Sequence, residues 1–216
     1  MRPTEHLKSL CADDWDAATK HDFCDALADG TLDLDKMRSY LVQDYQFVDG
    51  FVRLLASMIA HAPTLADSVP AAQFLAVITG PENTYFLRSF EALGVKDIDW
   101  QNAPLKQPTK GFQELMAKAV ASGKYEEMLA VLVVAEWVYL SWASPFNPPK
   151  ANTPFYFAEW ITLHAGEGFE DVVEYLRGQL DKVWLELNHD QRKNVERVFC
   201  KAVQLERALF DVSWDR

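Results

Sequence analysis

Apolar residues recur every three or four positions along almost the whole chain, and nowhere do they alternate with polar ones over the length of a strand. The spacing predicts a first helix over 5–19, with Leu7, Leu10, Cys11, Trp15 and Ala18 on one side. A short helix over 21–29 ends at Gly30, a good left-handed stop. Asp33 caps a long helix over 34–61, whose stripe is Leu34, Met37, Leu41, Val48, Val52, Leu55 and Ile59, and Pro63 follows its end. Pro70 falls in the first turn of the next segment, which is helical through Phe74, Val77 and Ile78. A kink at Pro81 divides it from a helix over 82–93 that Gly94 closes. Segment 95–108, rich in Pro and polar groups, reads as a loop, and Thr109 as the cap of a helix over 110–122 that stops at Gly123. Helices follow over 125–144, 154–164, 167–187 and 190–213. Loop 144–154 separates the first two, and Asn188 the last two. Asp29-Gly30 and Asp49-Gly50 lack flanking alternation, so neither marks a hairpin, although Gly50 weakens the long helix slightly. There is no repeat and no linker. The pattern predicts one all-α bundle spanning 1–216.

Three acidic residues interrupt this pattern. Asp44 falls on the apolar face of the long helix, Glu136 is the only charge between Met128 and Ala143, and Glu206 lies on the stripe Val195, Phe199, Ala202, Leu209. A carboxylate taken out of water costs several kcal/mol unless it is paired or hydrogen-bonded. Three on separate helices therefore point to a polar pocket inside a helical core. Each also has a plainer reading. Asp44 could tie helices together through Tyr or Trp donors. Glu206 could flank the last helix beside Gln204 and Arg207, and Glu136 could pair with Arg53 or Arg88.

Composition narrows the classes. With 216 residues, 49% of them hydrophobic, the chain can bury a large core without disulfides or metal. A net charge of −11 argues against nucleic acid and anionic membranes as partners. Cys11, Cys24 and Cys200 fit no zinc or redox spacing, and an odd number does not suit a secreted framework, so a cytoplasmic location is expected. The N-terminus lacks the apolar stretch of a signal peptide. The apolar run from Met128 is short for a bilayer span of ~20 residues and reads as a buried central helix. Only His189 has a Glu three residues before it, Glu186, and a di-iron site needs two such pairs on facing helices, so no metal and no cofactor are expected.

Several short motifs, in order, resemble the TenA/thiaminase II family. They are His21-Asp22-Phe23, Asp29-Gly30-Thr31-Leu32, Tyr40-Leu41-Val42-Gln43-Asp44-Tyr45, Glu136-Trp137-Val138-Tyr139, Trp160-Ile161, and Glu206 with Phe210. The resemblance implies an up-and-down bundle of the heme oxygenase type, with a pocket between helices. It implies a metal-free enzyme that salvages the pyrimidine half of thiamin, and a homo-oligomer, either tetramer or dimer. In the thiaminase II branch a Cys precedes the central motif; here that position is Ala135. The chain thus resembles the Cys-less branch, associated with hydrolysis of amino- or formylamino-pyrimidines rather than thiamin. Phe47 and His164 stand where the family has Tyr, and Leu209 with Phe210 where it has an aromatic three residues after Glu206.

The combined reading makes Asp44 the acceptor for an aminopyrimidine and Glu206 the acid/base for its leaving group. Glu136, beside the lost Cys position, is a second catalytic candidate. Phe47, Phe112 and Tyr139 are expected to line a slot for a flat ring, with His164 in the same wall. Trp137 reads as core, His21 as structural, and His6, His61 and His189 as surface or loop positions. Two alternatives stay open: a thiaminase-like enzyme acting on another heterocycle, and a bundle that binds pyrimidines without turning them over.

Overall fold

A computed structural model describes residues 1–215, in which the helical periodicity becomes twelve α-helices and no strand. They are α1 (Pro3–Ser9), α2 (Ala12–Thr19), α3 (Asp22–Ala28), α4 (Leu34–His61), α5 (Leu65–Val77), α6 (Asn83–Leu93), α7 (Asp97–Gln101), α8 (Gln107–Ser122), α9 (Tyr125–Ala143), α10 (Phe155–Leu163), α11 (Glu167–Trp184) and α12 (His189–Trp214). A π-helical turn, Ile78–Glu82, joins α5 to α6, and a 3₁₀ turn, Ser144–Phe146, extends α9.

The longest helices agree with the periodicity because their ends are chemically marked. The Asp33 carboxylate accepts the Asp35 and Lys36 N–H groups at 2.8 and 3.2 Å. Asn188 and Gln191 form a reciprocal capping box at the start of α12, with bonds of 3.0 and 2.9 Å. Gly94 and Gly123 take the left-handed conformation that ends α6 and α8, at φ +70° and +64°.

Four expectations are corrected. The predicted helix over 5–19 is two helices broken at Leu10 and Cys11. Leu7 and Trp15 are buried while Leu10 turns to solvent, so α1 can pack on α11 while α2 packs on α9 and α12. Segment 95–108 contains the short α7. Thr109 is no cap: α8 starts at Gln107 with Pro108 in its first turn, where a missing N–H costs nothing. The Thr109 hydroxyl instead donates to Gln43 Oε1 at 2.8 Å. Pro70 sits inside α5, past its first turn, which Thr64 caps.

At Pro81 the kink takes the form of a π turn. Proline offers no N–H to the preceding turn, and widening the helix by one residue accommodates the loss. The row Phe74, Ile78, Glu82, Phe86, Phe90 stays buried through the insertion.

The centre is α9. Every residue from Tyr125 to Tyr139 is buried, with α4, α8, α11 and α12 packed around it. Tyr125–Phe146 is long and apolar enough to cross a membrane, but here most of it is the inside of the bundle. One hydrophobic core runs from Leu7 to Phe210. Because α4 carries the first site residue, its cap is a test of the scaffold. Asp33→Ala is expected to lower stability by about 1 kcal/mol, as typical N-caps do, moving the urea midpoint without changing the slope of the transition.

Candidate active site

Five parts of the bundle meet at one cavity. From α4 come Asp44, Phe47, Val48 and Phe51; from the π turn, Ile78 and Glu82; from α9, Ala135, Glu136 and Tyr139. Trp160 of α10 with His164 just beyond it, and Glu206 and Leu209 of α12, complete the wall. The sequence expectations Asp44, Phe47, Glu136, Tyr139, His164 and Glu206 are thus brought together. Phe112 is corrected: it is wholly buried, with its ring edge-on to Phe47 at 5.1 Å, and it backs the slot rather than lining it.

Glu82 is the residue that sequence reasoning missed. It lies in the row that continues Phe74 and Ile78, and an acid in that row should have stood out as Asp44 did. Pro81, taken as a break between helices, made it look like an ordinary acidic first-turn residue instead.

The cavity therefore holds four carboxyl groups: Asp44, Glu82, Glu136 and Glu206. Each is at most 8% exposed, and among the described residues none has a hydrogen bond or an ion pair. Buried acids elsewhere are served differently. Glu127 accepts from Lys124 at 2.9 Å and from Asn194. Asp67 accepts from Thr64 and Gln179, which hold its carboxyl below the usual range. The arginines considered as partners of Glu136 are engaged elsewhere, Arg53 with Asp49 at 3.1 Å and Arg88 with Glu159 at 2.7 Å.

Burial without partners favours the protonated acid. It pushes the Asp44 carboxyl up to about 7. Burial, then the charge of Asp44, takes Glu136 to about 8. Glu82 and Glu206 are raised well above the usual range by burial, with smaller contributions from Asp44 and Glu136. No group of three or more acid, His or Cys side chains among the described residues is arranged to hold a metal ion.

The rest of the wall is aromatic and fixed. The Tyr40 and Tyr139 hydroxyls share a 2.6 Å hydrogen bond, and Trp160 Nε1–H donates to Tyr40 at 3.2 Å. His164 Nδ1 is 2.8 Å from the Trp160 carbonyl oxygen. A carbonyl can only accept, so Nδ1 carries the proton and Nε2 keeps its lone pair. Burial lowers the His164 ring to about 4, so it is neutral at physiological pH. The remaining candidates lie apart. Trp137 packs outward, under Arg177 at 3.7 Å and against Trp15. His21 is the cap of α3, accepting the Phe23 N–H.

Comparison with known proteins agrees with this fold. The profile of the TENA/THI-4/PQQC family matches residues 11–216. The chain belongs to that family. An aminopyrimidine aminohydrolase of Halalkalibacterium halodurans is 22% identical over 203 residues, 93% of this chain and 90% of that protein. An aminopyrimidine aminohydrolase of Helicobacter pylori is 21% identical over 99% of both chains. Among solved structures, a TenA family transcription regulator from Silicibacter superposes with a TM-score of 0.87 at 19% identity, covering 99% of this chain and 97% of that one. A TenA homologue from P. horikoshii gives 0.84 at 20%, covering 99% of each. At those identities the superpositions establish the shared helical fold.

The four-acid cluster has a measurable signature within the family fold. The folded protein holds protons on Asp44 and Glu136 that the unfolded chain releases near pH 4. Above that value the folded state binds more protons, so stability falls as pH rises, by about 1.4 kcal/mol per pH unit for each extra proton, until the folded groups have titrated. His164 acts oppositely but only below about pH 6.5, its unfolded value. The ligand-free protein is therefore expected to lose thermal stability between pH 6.5 and 8.5, and Glu136→Gln should flatten that decline. A parent midpoint that rises over this interval would contradict the uncompensated cluster.

Proposed function

We propose that the chain is an aminopyrimidine aminohydrolase of thiamin-pyrimidine salvage, which converts an amino- or formylamino-methylpyrimidine to the hydroxymethylpyrimidine. The observation that carries the reading is four unpartnered carboxyl groups around one aromatic-walled cavity, with Ala135 at the position where the thiaminase II branch has its nucleophile. Such a wall suits a flat ligand rich in N–H donors. The two bacterial relatives, both aminopyrimidine aminohydrolases, support the same substrate class.

The chemistry follows from the protonation states. Asp44, the most easily ionised of the four, accepts N–H groups from the ring's amino edge. Phe47 and Tyr139 hold the ring faces. Glu206 keeps its proton near neutrality and gives it to the leaving nitrogen as the C–N bond breaks. Water forms the new C–O bond and passes its proton to the Glu206 carboxylate so formed, while Glu136, next to Ala135, positions the water. The products are the alcohol and ammonia, or formamide from the formylated substrate. The neutral His164, through Nε2, accepts a hydrogen bond from water or substrate.

The reading extends to a cytoplasmic homo-oligomer, tetramer or dimer, as the family resemblance implies. A pyrimidine-binding regulator is the rival, and the description of the Silicibacter neighbour gives it some support. The net charge of −11 disfavours direct contact with DNA.

The test is incubation of the purified protein with aminomethyl- and formylaminomethyl-pyrimidine and with thiamin, with the products followed by chromatography. Ammonia or a one-carbon amide product should appear with the alcohol, while thiamin should be cleaved poorly for want of a thiol at Ala135. Rapid thiamin cleavage, lost on changing Cys24 or Cys200, would overturn both the activity and the placement of the site.

Two substitutions separate binding from chemistry. Asp44→Asn should weaken binding by ~1.5–3 kcal/mol, the range for a charge-assisted bond, with the fold kept. Glu206→Gln should lower kcat by at least ~10²-fold with KM little changed. A normal rate in Glu206→Gln beside a dead Glu136→Gln would exchange the two roles.

A further inference from the structure

Glu82 remains without a task in the reaction just described. It is 92% buried, it lines the cavity, and it has no partner among the described residues. The π turn is what puts it there: an extra residue at Pro81 carries Ile78 and Glu82, in the row that begins at Phe74, onto the cavity wall. The charged or titratable side chains sharing that wall are Asp44 of α4, Glu136 and Tyr139 of α9, His164 beyond α10, and Glu206 of α12. None is a cation, because the one basic ring, His164, is held neutral.

We propose, building on the aminopyrimidine reading, that Glu82 contacts the substrate as a carboxylic acid. It donates a hydrogen bond to a ring nitrogen, while the neighbouring Asp44 accepts from the exocyclic amino group. An amino group beside a ring nitrogen presents one donor and one acceptor on the same edge. A pair of carboxylates can satisfy only the donor. A carboxylate beside a carboxylic acid satisfies both. The cluster is built to supply that mixed pair. Asp44 ionises first, and the burial of Glu82, with smaller contributions from Glu136 and Asp44, holds the proton on Glu82. The site then selects an aza-aromatic ring bearing an adjacent amino group, rather than any flat amine. Glu206 is left for the leaving group.

Binding is measured by calorimetry with the hydroxymethyl aminopyrimidine, so the result does not depend on turnover. The comparison ligands are the two aminopyridines in which one ring nitrogen or the other is replaced by C–H. The parent should bind one pyridine about tenfold or more weakly, since the Glu82 proton loses its acceptor. Glu82→Gln, whose amide still donates, should bind the pyrimidine within about threefold of the parent. Glu82→Met, which cannot donate, should bind it about tenfold more weakly and should no longer distinguish it from that pyridine.

Equal affinity of the parent for the pyrimidine and both pyridines overturns the proposal without any variant. So does a Glu82→Gln as weak as Glu82→Met, which would mean that a negative charge is needed. If the parent binds the pyrimidine with this pattern but releases no ammonia, the hydrolase reading fails and the Glu82 contact stands. Turnover with no dependence on Glu82 sinks only the contact, and no binding of the pyrimidine at all sinks both.

Discussion

A carboxylate in a protein interior is normally answered by a cation or by several N–H groups, because water's solvation has to be replaced. This bundle surrounds one cavity with four carboxyls, and none of the described residues answers them. Proton retention relieves the cost only in part, because it trades charge repulsion for buried acid groups that still seek partners. A ligand bearing N–H groups and a ring nitrogen supplies those partners, so binding and relief of the unliganded site become the same event. Around the cluster stand a large core, a His164 kept neutral by its own burial, and arginines engaged in ion pairs of their own.

The scaffold holds the cluster by rigid, non-ionic means. Tyr40, Tyr139 and Trp160 form a hydrogen-bonded aromatic wall, and Phe23 and Phe210 pack against Tyr40. Asp44, Glu136 and Glu206 each project from a long helix, α4, α9 and α12, whose other buried faces lock its rotation. Phe112 contributes by holding Phe47 in place rather than by touching the cavity. The distinction matters for substitutions: a change at Phe47 alters the slot directly, whereas a change at Phe112 acts through it.

What could be read in the sequence depended on contrast. Asp44, Glu136 and Glu206 were visible because each breaks an apolar stripe in an uninterrupted helix. Glu82 has the same relation to Phe74 and Ile78, but a proline beside it concealed that the stripe continues. A π turn depends on how packing resolves the lost N–H, and local residue pattern does not specify that outcome. The break between α1 and α2 escaped for a similar reason. Leu7, Cys11 and Trp15 are spaced as on one helix, and only packing on different neighbours separates them. Thr109 had the chemistry of a cap, but Gln43, distant in sequence, was the stronger claimant on its hydroxyl. Slot-lining and slot-backing rings such as Phe47 and Phe112 have the same hydrophobic signature, and only tertiary placement tells them apart.

The central helix carries one more consequence, for the chain before it folds. Tyr125–Phe146 has the length and composition of a bilayer span, and Glu136 lies near its middle. A charged residue at that depth costs on the order of 2.5–3.5 kcal/mol during insertion by the translocation machinery. In the unfolded chain Glu136 is ionised at neutral pH, and its charge raises the cost of placing the segment in lipid. Once folded, burial takes the same carboxyl to about 8, so it is largely protonated among its neighbours. One side chain thus weighs against lipid while charged, and takes its place in the bundle by giving that charge up.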